Sequence, residues 1–277
     1  MGKKKKDNQN DMSFIAHLEE LRWRIIRSAI AILAFAIGMW FVKEWIINNL
    51  FLAMTKPDFI SFRIMCDYLN ICIGDIPIRF QSANVSSQFT YALMISLVGG
   101  FIVAFPYVFY QMWGFVKPGL KQNEKNAVRG LTASVSILFL FGLLFGYFVV
   151  APLCIQFFGD FVLVEEFENI WKIDSFMSLI ISSVIFTGLL YLLPIIIYIL
   201  AKIGLVSSAF LKKYRKHAII GVLILAALIT PPDFISQVIV AVPILFLYEI
   251  SIFLTKRIER KREKVLKKDK TSIIKSQ

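Results

Sequence analysis

Histidine, cysteine and acidic side chains are what this 277-residue sequence has least of. It has two histidines, His17 and His217, three cysteines, and 19 acidic residues against 31 basic ones. Both histidines lie at the edges of apolar runs, and HLEEL at His17 is not HExxH, which argues against an intramembrane metalloprotease. There is no GxSxG with a partner histidine in a span, no P-loop, no CxxC and no Cys/His cluster at metal spacing. No cofactor, metal or catalytic set is therefore expected, and the chain reads as a non-enzyme. No cleavable signal is apparent either. Lys3–Lys6 precede an apolar run that is long, lacks a small-residue cleavage site and is followed by further runs, so it reads as a retained first helix. Gly2 lacks the following Ser or Thr that myristoylation wants.

Apolar residues are abundant instead. They make up 57% of the chain, Phe alone numbers 26, and the mean hydropathy is +0.69. Several runs reach bilayer length, which places the chain among polytopic all-α membrane proteins. Residues 1–11 are polar, basic and expected to be disordered. A short amphipathic helix at HLEELR, with Phe14, Leu18, Leu21 and Ile25 on one face, is expected to lead into span one, about Ile25–Ile47. Residues 48–88 form a long loop with room for short helices or strands. Span two runs from about Phe89 to Trp113, broken at Gly99-Gly100 and Pro106. Span three covers about Leu131–Leu153, an acidic loop follows to Asp174, and span four covers about Ser175–Leu200 with Pro194 inside. The next run, Ala218–Ile229, is short, reaching about 20 Å against a bilayer core of about 30 Å. It is either thinning the bilayer or shielded by other helices. TPPD stops it, and a last run, Phe234–Leu254, precedes a basic tail over 255–277.

The net charge of +12 is unevenly placed. The N-terminus to Arg24, Gly114–Arg129, Ala201–Lys216 and the tail hold 25 Lys and Arg; the alternate loops hold 4. That asymmetry predicts six spans with both termini cytoplasmic, and it points to anionic membrane lipid as the partner of the charge, not nucleic acid.

Chemistry concentrates in a few places. In FPYVFYQMWGFVKPGLKQNEKNAVR (Phe105–Arg129) a lone acid, Glu124, sits among cations beside aromatics, on the same side as Glu20. Two carboxylates on one face suit two adjacent guanidinium groups, which lysine cannot copy. The alternative is local pairing, Glu20 with Arg24 and Glu124 with Lys121 or Lys125. Aromatics such as Phe115 could be binding surface or interfacial belt. Asp233 and Gln237 are a turn apart at one end of the last run, where Asp233 could be a helix cap. Glu249 lies near the other end, and charges at such depth face protein or water. Cys66 and Cys72 share one loop and could form a local disulfide if it is extracytoplasmic; two independent thiols is the favoured reading. A secondary transporter would need a polar midplane and repeat symmetry, and neither is visible.

HLEELR (His17–Arg22), FPYVFYQMWGFVKPGL with Glu124, FGYFVVAP (Phe145–Pro152), TPPDFISQ (Thr230–Gln237) and Tyr248-Glu249 occur in that order. Together they resemble the TatC family, the polytopic core of the twin-arginine protein translocase, over about Phe14–Leu254. The resemblance implies a curved, glove-like bundle of six helices with the fifth and sixth short, in the bacterial cytoplasmic (inner) membrane. It implies a receptor for twin-arginine signal peptides that exports folded proteins on the proton motive force. TatA-type and, in many members, TatB-type single-span partners are implied, as is a homo-oligomer within the receptor complex. The family's signal-peptide site falls on Glu20, Arg22, Phe115, Pro118 and Glu124; its partner-contact and transport cluster falls on Asp233, Gln237 and Glu249. One departure is Leu192, where the family commonly has Glu or Gln two residues before the fourth-span proline.

Overall fold

A computed structural model of the chain describes residues 14–69, 79–82, 84–116, 130–164, 170–230 and 233–275. Its helices are α1 (Phe14–Phe41), α2 (Ile60–Leu69), α3 (Ser87–Val116), α4 (Leu131–Phe145), α5 (Ala151–Asp160), α6 (Ile173–Leu190), α7 (Leu193–Ile203), α8 (Ser208–Lys213), α9 (Arg215–Ile229) and α10 (Phe234–Lys275). Short helical turns over Lys43–Ile46, Ile47–Phe51 and Leu52–Thr55 follow α1, and a π-helical turn, Gly146–Val150, joins α4 to α5. Five stretches among the described residues are long and apolar enough to cross a membrane: His17–Phe41, Ser87–Phe115, Leu131–Asp160, Ile173–Ile203 and Phe234–Lys261. The chain is an all-α membrane protein. The run expected as a fifth span is α9, whose 15 residues fall below that length.

Two compact units partition the chain, Met1–Val42 with Leu93–Ser136, and Lys43–Ala92 with Ile137–Gln277. In the first, α1 packs on α3. A Cβ on Gly100 would lie 2.6 Å from the Ala36 backbone N and 2.8 Å from the Ile32 carbonyl O, so two backbones meet there through a missing side chain. This corrects the break expected at Gly99-Gly100 and Pro106. α3 is continuous through both, because the glycine serves close packing and a membrane helix tolerates the N–H that proline lacks. Ile30, Leu33 and Ile37 of α1 are exposed and apolar, as residues at a lipid-facing surface must be.

In the second unit, α4, the π turn and α5 form one helical stretch that runs to Asp160, beyond the expected end near Leu153. Pro152 lies inside that stretch just after the π turn, and a membrane helix tolerates the N–H that it lacks. The π turn is the docking platform for the long loop. Phe59 and Phe62 are buried, Phe59 stacks on Phe148 at 6.1 Å, and Tyr147 donates to the Leu50 carbonyl at 3.1 Å. Ser61 also donates to the Phe148 carbonyl. Strands β1 (Arg79–Gln81) and β2 (Ile170–Lys172) pair in parallel, and the Ser87 hydroxyl donates to Asp174 Oδ2 at 2.9 Å. Cys66, on α2, is disulfide-bonded, whereas Cys154 is a buried free thiol. The favoured reading of two independent thiols in this loop is thereby corrected: docking through Phe59 and Phe62 holds α2 in one place, which residue spacing does not reveal. Cys72 lies outside the described residues.

Pro194 does not bend one helix but divides two, with Tyr191 and Leu192 in a turn between α6 and α7. A core of Val150, Cys154, Val222, Ala226, Val240, Ala241 and Ile244 binds α9 to α10 and to the start of α5. One face of α9 is thus covered, while Ile220, Ile224 and Leu228 remain exposed. α10 continues past its apolar run, so the basic tail begins as the same helix.

Candidate functional site

In the first unit the site is built where the start of α1 meets the end of α3. Glu20 and Arg24 stand one helical turn apart. Arg24 Nε and Nη2 both donate to Glu20 Oε1, at 2.9 and 2.5 Å. Arg24 Nη1 lies 3.3 Å from the Gln111 carbonyl and 3.5 Å from its side-chain oxygen. Gln111 is buried, and its amide donates to the Tyr107 hydroxyl at 2.6 Å. Gly114 makes room for the guanidinium, since a Cβ there would lie 2.2 Å from Nη1. One turn before Glu20, the His17 ring stacks on Phe115 with centroids 4.2 Å apart and planes at 16°. Arg22 is exposed. Of the expected site residues, Glu20 and Phe115 are therefore brought to one face, while Pro118 and Glu124 lie outside the described residues. Between the two readings of Glu20, the geometry is that of the local pair with Arg24.

The second cluster is two places on one helix. Asp233 caps α10: its Oδ2 accepts from the Ser236 N–H at 2.7 Å. Its Oδ1 is buried and has no hydrogen-bond partner among the described residues. Gln237 reaches across to donate to the Leu223 carbonyl on α9 at 3.0 Å. Glu249 is about 24 Å along the axis from Asp233, by the helical rise. There it accepts from Arg215 Nη2 at 2.7 Å, at the first residue of α9. The adjacent Tyr248 hydroxyl donates to the Leu211 carbonyl at 2.9 Å. About three turns further on, the Ser208 N–H and hydroxyl both donate to Glu259. No group of three or more His, Cys, Asp or Glu able to hold a metal occurs among the described residues.

A family model for the Sec-independent protein translocase protein (TatC) matches residues 16–243. The chain belongs to the TatC family. Its relatives include the Sec-independent protein translocase protein TatC of Blattabacterium sp. subsp. Periplaneta americana (strain BPLAN), 36% identical over 265 residues, covering 93% of this chain and 100% of that protein. The TatC protein of Aquifex aeolicus (strain VF5) is 32% identical over 257 residues, covering 92% of this chain and 100% of that one. A crystal structure of the twin-arginine translocase receptor TatC matches with a TM-score of 0.66 at 31% identity, over 88% of this chain and 99% of that chain. As a TatC-family member the chain is a translocase component and a multi-pass membrane protein, not an enzyme.

Several residues that line this candidate site were not among those expected from the sequence. Tyr107, Gln111 and Gly114 all lie in the stretch singled out, and their spacing of four and three places them on one face of α3. Read against an i, i+4 Glu–Arg pair, that face is a legible acceptor lining. Arg215, the partner of Glu249, carries no such local signal, because 34 residues separate them.

Proposed function

We propose that this TatC-family chain is the receptor for twin-arginine signal peptides and the core subunit of a translocase in the bacterial cytoplasmic membrane. Folded proteins are exported on the proton motive force, together with TatA-type and, as in many members of the family, TatB-type single-span partners, from a complex with several copies of the chain. Both termini face the cytoplasm in this reading, which the distribution of Lys and Arg supports. The observation that carries the reading is the Glu20 carboxylate on an aromatic-flanked face of α1 and α3, at the level of the His17–Phe115 stack. A carboxylate there recognises guanidinium by charge-assisted hydrogen bonds, and the flanking rings supply apolar area for the residues after the arginines. Glu124, Pro118 and Arg22 complete the site in this reading. Asp233, Gln237 and Glu249 serve partner contact and later transport steps in this reading. In this reading the chain has three parts: a basic N-terminus over 1–11, the membrane domain over 12–254 and a basic cytoplasmic tail.

Site-specific photo-cross-linking tests it. A photoreactive residue at Phe115 is expected to capture a twin-arginine precursor, and to lose it when the two arginines are lysines. Equal capture of both precursors contradicts the reading.

A further inference from the structure

The guanidinium of Arg24 lies in a cradle that contains only acceptors. Glu20 Oε1, the Gln111 carbonyl and the Gln111 side-chain oxygen line it, and Gly114 leaves its floor open. Gln111 is 6% exposed and fixed by Tyr107, so this half of the cradle is rigid. An acceptor-only pocket fits a guanidinium, which carries five donors and no acceptor. It fits a lysine ammonium less well, because three donors radiating from one atom cannot span acceptors contributed by two helices. Yet the present occupant uses the carboxylate incompletely. Both of its contacts go to Oε1, whereas a forked pair engages both oxygens. Arg24 is also 20% exposed, on a flexible stem, so it has a route out.

We infer that Arg24 is an internal occupant of a guanidinium seat, and that one arginine of an incoming twin-arginine signal enters that seat by exchange with it. This rests on the receptor reading above and adds to it a competitor built into the protein. The exchange replaces one charge-assisted set with another of the same kind, so the carboxylate is never left bare on a strongly cationic chain. Discrimination follows from the same step. A peptide arginine displaces Arg24 like for like, while a lysine must evict a forked donor with a point charge.

The test is fluorescence anisotropy of a labelled peptide, two consecutive arginines followed by an apolar segment, on the full chain in lipid nanodiscs. Arg24→Gln vacates the seat and is expected to tighten binding by up to about fivefold, the worth of a partly exposed ion pair. Arg24→Lys tightens it by less. Adding Arg24→Gln to Glu20→Gln gives no gain over Glu20→Gln alone. A merely structural Arg24 would weaken binding when replaced. Weakening by Arg24→Gln in a protein of wild-type melting temperature, with binding still dependent on Glu20, overturns the exchange while leaving the receptor reading intact. If Arg24→Gln fails to fold, Arg24→Lys decides by the same sign. Wild-type affinity in Glu20→Gln overturns both.

Discussion

Glu20 and Glu249 each hold an arginine, and the two pairs are built in opposite ways. Glu20 and Arg24 are neighbours on one helix, with side chains 28% and 20% exposed. Glu249 and Arg215 come from different helices, and about half of each side chain is in contact with solvent. The first pair needs no loop closed to form it, and the tertiary contacts that depend on Arg24 are the long ones to Gln111. The second is one of four ties among the described residues, with Tyr248–Leu211, Glu259–Ser208 and Gln237–Leu223, that lace α10 to the α8–α9 segment. The same chemistry thus serves exchange in one place and bracing in the other. Burial does not rank them: the more sheltered pair is the one poised to open, because what matters is which other contacts depend on it.

The comparison can be broken most forcefully at Gly100. Gly100→Val drives a side chain into the backbone of Ala36 and Ile32, an overpacking worth about 3 kcal/mol. The melting temperature is expected to fall and peptide binding to disappear with the α1–α3 face. A Gly100→Val protein that melts and binds like the wild type would show that this face is not held by that contact. Next is Cys66→Ser, expected to cost about 2 kcal/mol of stability while peptide affinity is unchanged, since the disulfide lies in the other unit. Melting with and without reductant checks it: the wild type should shift and the variant should not. Gln237→Leu leaves the Leu223 carbonyl without its donor, at about 1 kcal/mol, again with normal peptide affinity. Glu249→Gln should be mildest, well under about 1 kcal/mol for so exposed a pair. A larger loss would mean that the brace carries more than its Coulomb energy.

Much of this was legible in the sequence for definite reasons. Apolar run length announces spans, because a bilayer needs about 20 residues of them. Glu20–Arg24 was legible because both partners lie within one turn, and Asp233 because a helix start demands an acceptor. Three features were not. Gly99-Gly100 reads as a breaker by composition, yet Gly100 is a contact, and only the approach of α1 tells the two apart. Bilayer length ends the third span near Leu153, although the helix and its apolar residues continue to Asp160, because a span can exceed the length a bilayer needs. The Phe59–Phe148, Ser87–Asp174 and Glu249–Arg215 contacts join distant segments, and such pairings leave no periodic trace.

The most direct test of the contrast between the two carboxylates is peptide affinity in matched variants. A labelled twin-arginine peptide is titrated onto Glu20→Gln and Glu249→Gln proteins in nanodiscs, alongside the wild type. Loss of a charge-assisted contact to the ligand predicts about tenfold weaker binding for Glu20→Gln and wild-type affinity for Glu249→Gln. Equal affinities in all three proteins, or weakening confined to Glu249→Gln, would contradict the assignment of recognition to the α1–α3 face.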